Sequence, residues 1–262
     1  MIRHALGRAM LGAAFLALTA CSASSGPSPI TASGGPASAS PSAHASPTPA
    51  SSPSASASRV ATPSTGDLTQ ADINRPLTAG TYRVGDPFGA PFGITVPDKW
   101  QLKTLKAGDA QLSITPDGQS YPAWIVVDLI ENVFADPCKS DGGPIDPPVA
   151  TNVDAVVKAL THMTGYTAGP VTDVTIGGHK GKAVEIANDI DTDTAGCDSG
   201  KMLPMWTFRG GDGAATNGHA TEQLWVLDVN GTPVIVDGET FDDTPPALRD
   251  AIKPIVETIA FN

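Results

Sequence analysis

Short apolar runs separated by glycine, proline, asparagine and aspartate dominate the chain from about residue 66 onward. Within most runs apolar and polar residues alternate, which is the pattern of a strand with one buried face. The predicted strands are residues 80–84, 92–96, 110–115, 123–130, 171–176, 183–186, 223–229 and 233–237. Residues 123–130 are apolar at nearly every position, which predicts a central strand that is buried on both faces.

Two turn sequences predict hairpins between these strands. Residues 177–182, GGHKGK, supply glycines for a tight turn between two of the predicted strands. Asn230 and Gly231 separate the last two strands. This pair favours a type I′ turn, which needs a positive φ at both central positions.

Apolar residues recur at helical spacing in two further segments. The first group is Val153, Val156, Val157 and Leu160. It follows Asn152, a residue type that caps helices, and predicts an amphipathic helix of about three turns. A second helix is predicted after Thr244 as its cap, with a kink at Pro254. The whole pattern predicts an α+β domain, an antiparallel β-sheet of about six to eight strands with two main helices packed on it.

The N-terminus has the pattern of a secretory signal. Arg3 and Arg8 precede or flank an uncharged apolar run, residues 9–20, that is shorter than the roughly 20 residues of a membrane-spanning helix. The run closes with LTAC at residues 18–21, which resembles the bacterial lipobox. That resemblance implies a lipoprotein signal peptide at residues 1–20, cleavage before Cys21 and a diacylglycerol on its thiol. The alternative is an ordinary signal peptide followed by a chance cysteine.

A segment of low complexity follows the predicted cleavage site. Residues 22–58 contain no Asp, Glu, Lys or Arg and consist mainly of Ser, Ala, Pro, Gly and Thr. Such a composition buries too little apolar surface to offset the entropy of ordering. We therefore predict a disordered linker at residues 21–65, a stalk between the membrane and a globular domain at residues 66–262.

The cysteine count agrees with export. The chain has three cysteines, and lipidation of Cys21 leaves Cys138 and Cys197 as a pair in an oxidising compartment. Both lie in acidic loop sequences, so the pair predicts a structural disulfide. A nucleophilic or metal-binding thiol is the alternative, but it would need an electropositive neighbour that these loops do not offer.

The predicted domain is strongly acidic. All 27 acidic residues lie after residue 65 together with 13 of the 16 basic ones, which leaves a net charge of −14 (13 minus 27). A surface of this charge repels nucleic acids and anionic head groups. We therefore expect no nucleic-acid partner, and a membrane contact that is made by the lipid on Cys21.

Three motifs carry a resemblance to a known family. They are LxxGxY at residues 77–82, FGITVPDKW at residues 92–100 and IVETIAF at residues 255–261. In this order they resemble bacterial, actinobacterial-type surface lipoproteins with a Mog1/PsbP-like domain. The resemblance implies a strand that ends in Pro and Trp, and a final helix that leads into a short strand. The family's members are diverse binding or accessory proteins, so no catalytic residue is implied.

Two groups of residues are candidates for a binding site. Asp189, Asp191 and Asp193 alternate along an acidic segment and could converge on calcium. Their spacing departs from an EF-hand, and the alternative is a solvated acidic loop. Trp206 follows this segment and is the candidate for an exposed aromatic platform, whereas Trp124 lies in an apolar run that predicts a core position.

No set of catalytic residues is apparent in the sequence. The histidines of the domain, His162, His179 and His219, lack the spacing of a zinc site. The sequence therefore favours a membrane-anchored, extracytoplasmic, non-enzymatic protein that binds a ligand or serves the cell envelope, with calcium as the one candidate cofactor. The alternative is a secreted, lipid-anchored hydrolase whose site is assembled from residues far apart in sequence.

Overall fold

The computed structural model describes residues 64–115, 122–149, 152–192, 195–211 and 213–262. The predicted signal peptide, Cys21 and the predicted linker up to residue 63 lie outside these residues. Within them, no helix is long and apolar enough to cross a membrane.

Strands account for most of the regular structure in the described ranges. They are β1 Ser64–Leu68, β2 Gly80–Val84, β3 Phe92–Val96, β4 Gln101–Lys106, β5 Asp109–Ile114, β6 Ala123–Val133, β7 Tyr166–Ala168, β8 Thr172–Ile176, β9 His179–Asn188, β10 Leu203–Phe208, β11 Gly213–Thr216, β12 Ala220–Val229, β13 Thr232–Phe241 and β14 Ala260–Phe261. The helices are α1 Val153–Leu160, α2 Pro246–Val256 and two short 3₁₀ segments, Gln70–Asp72 and Pro137–Gly142. All eight predicted strands are present, several of them longer than expected.

The strands form two sheets, which corrects the prediction of one. A four-stranded sheet has the order β1-β2-β3-β14, with β1 and β2 parallel and the other pairs antiparallel. A ten-stranded sheet has β11-β10-β6-β13-β12-β9-β7 as its main path, with β5 on β6, β4 on β5 and β8 on β9. The alternation of residues along one strand reveals its buried face but not its neighbours, so the division into sheets could not be predicted.

The long strand β6 shares one of its edges between two partners. β5 pairs antiparallel with residues 123–128 of β6, and β10 pairs with residues 130–133. The opposite edge of β6 pairs with β13. The prediction that residues 123–130 form a central strand is therefore confirmed. Asp128 is the last residue of β6 that pairs with β5, and the pairing with β10 begins two residues later.

The large sheet separates two buried clusters. In β12, Leu224 and Val226 belong to one cluster while Trp225 and Leu227 belong to the other. Because successive side chains of a strand point to opposite faces, the clusters lie on opposite sides of the sheet. One cluster contains apolar residues of the small sheet and of α2; the other contains Leu160 and its neighbours from α1.

The helix boundaries differ from the predicted ones in detail. Asn152 caps α1 as predicted, since its side chain accepts from the Ala155 N–H over 2.9 Å. However, α1 is only eight residues long and ends at Leu160; the hydroxyl of the next residue, Thr161, donates to the Val157 carbonyl. Thr244 does not cap α2, because its hydroxyl accepts from the Phe241 N–H in the preceding turn.

Both predicted hairpins are present. β8 and β9 are joined through Gly177 and Gly178, and β12 and β13 through Asn230 and Gly231. Asn230 has φ 54° and Gly231 has φ 83°, the positive values that a type I′ turn requires. The turn is also fixed by the Gly231 N–H, which donates to Asp228 Oδ1 over 2.6 Å.

We expect Gly231→Ala to lower the free energy of unfolding by about 1 kcal/mol, because a side chain at a positive φ is strained. Urea titration of the variant and the wild type measures this difference. Gly142→Ala is the control, since a Cβ there meets no atom within 4 Å and the residue has no positive φ. Equal midpoints for Gly231→Ala and the wild type would contradict the expectation.

Candidate functional site

A row of five acidic side chains is buried on the α1 side of the large sheet. The row is Asp109 of β5, Asp128 of β6, Glu222 of β12, and Asp237 and Glu239 of β13. Successive side chains of a strand point to opposite faces, so acids an even number of positions from a residue of the α1 cluster lie on the same face as that cluster. Buried carboxyls in this number are unusual, since a carboxyl is seldom buried unless it is paired.

The strand registers bring like charges together. Asp109 lies directly opposite Asp128, and Glu222 lies directly opposite Glu239. Asp237 is diagonal to Asp128 on one side and to Glu222 on the other. Like charges in facing positions destabilise a sheet, so the row must be neutralised by protons, by hydrogen bonds or by a bound cation.

At the Asp109–Asp128 end of the row, Oδ2 of each acid has a donor, whereas Oδ1 of each has none among the described residues. Trp206 donates its indole N–H to Asp128 Oδ2 over 2.8 Å, and Lys106 Nζ lies 3.6 Å from Asp109 Oδ2. Gln111 Nε2 donates to the same Asp109 oxygen over 3.2 Å. Burial and the charge of Asp109 still raise the pKa of Asp128 well above its usual range.

The Glu222–Asp237–Glu239 end has fewer donors. Among the described residues, no donor reaches either carboxyl oxygen of Glu222 or Oδ1 of Asp237. Glu239 accepts a hydrogen bond from the Thr216 hydroxyl. Burial, followed by the charge of a neighbouring acid, raises the pKa of all three carboxyls well above the usual range. The same burial raises the pKa of Tyr166 beside them. Asp237 lies close to Glu222, so a proton on Glu222 would let that carboxyl donate to Asp237.

A cavity of about 310 Å³ opens onto this end of the row. It is lined by Gln111, Trp124, Val126, Met202, Met205, Gly213, Ala214, Ala215, Asn217, Asp237 and Glu239. Asp237 is 2% exposed and Met202 is 45% exposed, which puts the acid at the base and the methionine at the mouth. The lining is divided between apolar and polar groups, so the cavity suits a small molecule that has both kinds of group.

Comparisons with known proteins give structural likenesses only. No family model and no curated protein sequence matches the chain. Three solved structures that it is similar to are a Pseudomonas aeruginosa protein of unknown function, a cyanobacterial PsbP from Synechocystis, and LpqN, which is involved in cell envelope biogenesis of Mycobacterium tuberculosis.

The degree of likeness is modest in each case. The Pseudomonas protein is 17% identical in sequence and has a TM-score of 0.32, and the match covers 70% of this chain and 96% of the Pseudomonas chain. The Synechocystis protein is 10% identical with a TM-score of 0.36, covering 72% and 96%. The Mycobacterium protein is 17% identical with a TM-score of 0.36, covering 75% and 98%. With so little shared sequence and backbone, function has to be argued from the chain's own residues.

The predicted disulfide between Cys138 and Cys197 is confirmed. It joins the 3₁₀ segment after β6 to the segment between β9 and β10. Backbone and side-chain contacts run alongside it, because the Asp198 N–H donates to the Cys138 carbonyl and Lys139 Nζ lies 3.8 Å from Asp198 Oδ1. A free reactive or metal-binding thiol is thereby excluded at both positions.

The prediction that Trp206 is an exposed ligand platform is wrong. Its side chain is fully buried in the α1 cluster, and its N–H is held by Asp128. The place of Trp206 after an acidic segment suggested that it is exposed. However, Trp206 lies in β10, at a position whose side chain faces the core. Trp124, for which the sequence predicts a core position, is instead half-buried, lies outside both core clusters and lines a cavity.

The calcium prediction stays untested. Asp189 and Asp191 are exposed, while Asp193 lies outside the described residues. Across the part of the chain that the structure describes, no group of three His, Cys, Asp or Glu side chains is placed to hold a metal ion.

Sequence reasoning missed the buried acid row entirely. The available signal was an acid inside an otherwise apolar strand, as with Asp128 in AWIVVDLI or Asp237 in PVIVDGE. Such a residue sits at a position that its neighbours show to be buried. The proximity of the five acids could not be inferred, because it depends on the strand registers.

Proposed function

We propose that this protein is a lipid-anchored, extracytoplasmic binding protein, and that the acid-based cavity is its ligand site. The N-terminal pattern up to Cys21 supports the anchor. The Cys138–Cys197 disulfide supports export, because disulfides persist in oxidising compartments. The observation that carries the binding role is the cavity itself, with Asp237 at its base and Trp124 and Met202 on its walls.

Replacement of the predicted lipid acceptor tests the anchor. We expect Cys21→Ser to release the protein into the medium or to leave it as an uncleaved precursor, because the thiol is the site of acylation. Fractionation of cells followed by immunoblotting measures the distribution. Ser24→Ala is the control and should stay with the membrane fraction; membrane retention of Cys21→Ser would refute the anchor.

Filling the cavity tests the binding role. Native mass spectrometry of the protein purified from its own host should reveal a retained small molecule in the wild type. Val126→Phe places an aromatic ring in the cavity and should abolish retention. Val171→Phe, the same change at an exposed position, should leave it unaltered. A wild-type spectrum without a bound molecule would count against the site.

A lipid-anchored hydrolase is the second candidate. The observation that favours it is that two carboxyls with raised pKa, Asp237 and Glu239, line one cavity, as an acid and base pair would. Against a nucleophile–histidine mechanism, none of the described residues lining the cavity is a histidine. Turnover of a retained molecule by the wild type, and its accumulation on Glu239→Gln, would decide for the hydrolase.

A further inference from the structure

No basic side chain lies at the acid end of the cavity among the described lining residues. Among the described residues that line it, Asp237 and Glu239 are ionisable and none is basic. The cation that the row does contact, Lys106, lies at the far end beside Asp109. A carboxylate that ionises at the base of the cavity therefore has no basic side chain among these residues to compensate it.

Asp237 is surrounded by acids on every strand that faces it. Glu222 of β12 and Asp128 of β6 are its diagonal neighbours, and Glu239 is the next residue on the same face of β13. Its side chain is 2% exposed and its Oδ1 has no donor among the described residues, although the residue lines the cavity. A buried polar atom without a partner is costly, and a donor supplied by a ligand removes that cost.

One part of the cavity wall is apolar and polarizable. Trp124 and Val126 come from β6, Met205 from β10 and Met202 from the mouth, while Ala214 in β11 adds a small, close wall. An aromatic face and thioether sulfurs suit an apolar group, and an indole face also attracts cations. A fully hydrated ion would gain little from such walls.

A metal ion is not the occupant that this geometry favours. The acids follow one another along a row, and within the described part of the chain no three ligating side chains converge on a point. An ammonium group needs no such convergence, since it donates up to three hydrogen bonds to separate acceptors.

We propose that the cavity binds a small organic ammonium ion that carries an apolar group, with the ammonium donating to Asp237 and Glu239 and the apolar group lying against Trp124 and Met202. This inference rests on the proposed function, because it names the ligand class for the same cavity. The charged end meets Asp237, whose Oδ1 has no donor among the described residues, and the apolar end faces the exposed Met202 at the mouth.

Isothermal titration of the full chain with four probes tests the inference. Phenethylamine has both required parts, phenylethanol lacks the charge, phenylpropanoate reverses it, and putrescine lacks the apolar group. We expect phenethylamine to bind about ten- to a hundred-fold more tightly than phenylethanol, the range for hydrogen bonds to a charged group. Putrescine should bind more weakly than phenethylamine, and phenylpropanoate should show no binding.

Two variants connect the preference to the acids. Asp237→Asn should lower the affinity for phenethylamine at least about ten-fold and leave that for phenylethanol unchanged. Glu239→Gln removes the second acid and provides an independent test if Asp237→Asn does not fold. Asp154→Asn, the same change at an exposed residue of α1, should alter neither affinity.

The outcomes separate the inference from the proposed function. The ammonium assignment would be overturned if phenylethanol or putrescine bound as tightly as phenethylamine. It would also be overturned if neither variant changed the affinity for phenethylamine. If a neutral or anionic probe binds and Val126→Phe abolishes that binding, the cavity is a ligand site and only its ligand class is wrong. If no probe binds, the assignment falls, and the proposed function falls with it only if native spectra also reveal no retained molecule.

Discussion

Loss of the Cys138–Cys197 disulfide is expected to lower the free energy of unfolding by about 4 kcal/mol. The bond spans a sequence separation of 59 residues, and a cross-link of that length removes much of the conformational freedom of the unfolded chain. The loop that it closes contains α1 and the strands β7 to β9. The bond is expected to act mainly on the unfolded chain, because β9 is held in the large sheet by its pairing with β12.

Other contacts between the two joined segments contribute much less. Lys139 and Asp198 form an exposed ion pair, and such pairs contribute about 0–1 kcal/mol. Lys139→Ala is therefore a suitable control, with a small effect expected. Guanidinium titrations of the oxidised protein, the reduced protein and the Cys138→Ala/Cys197→Ala variant measure the difference. A loss below about 1 kcal/mol would contradict the expected effect of the cross-link on the unfolded chain.

The buried acid row predicts that the protein becomes more stable as the pH falls from about 8 to about 5. In the unfolded chain, Asp and Glu titrate near their ordinary pKa values, 3.8 and 4.5. In the folded protein the pKa values of Asp128, Glu222, Asp237 and Glu239 are raised. The folded state then binds more protons than the unfolded state, so stability is lost as the pH rises through the folded pKa values. Asp72, whose pKa is lowered through Thr69, acts only below this window.

Glu222→Gln tests this directly, because glutamine resembles the protonated acid and can donate to Asp237 without a proton from solvent. We expect the variant to be more stable than the wild type at pH 8 by about 1–3 kcal/mol and nearly equal to it at pH 5. Urea titrations at both pH values measure the difference. The slope of stability against pH should also be smaller in the variant.

Glu185→Gln provides the matched control, since Glu185 has the same chemistry on the neighbouring strand β9 but is exposed. It should change stability little at either pH. A wild type that gains stability from pH 5 to pH 8, or a Glu222→Gln variant that is destabilised at pH 8, would show that the row is neutralised by something other than protons.

The cavity and the acid row belong to one structural feature. The raised pKa values of Glu222 and Asp128 favour their protonated forms, which lowers the cost of burying these acids in the sheet. A bound ammonium would stabilise the ionised form of Asp237 and so release a proton, because an adjacent cation favours a carboxylate. Binding and protonation at this site are therefore coupled.

Local patterns in the sequence determined much of the secondary structure. The strands Gly80–Val84 and Phe92–Val96 have the predicted bounds, Asn152 caps α1, and Asn230 with Gly231 forms the predicted turn. Each of these depends on residues within a few positions of one another, which a single sequence displays directly. The leader pattern that ends at Cys21 is likewise local, and the disulfide followed from the count of the remaining cysteines.

Only the tertiary structure decided the location of the site. Asp128 and Asp237 are far apart in sequence and become neighbours because β6 pairs with β13 in one particular register. Trp206 is buried because β10 pairs with the part of the β6 edge that β5 does not occupy. A shift of one residue in either register would turn these side chains to the opposite face. Registers are fixed by the packing of the whole sheet, so the residues of a strand reveal which side chains are buried but not which of them meet.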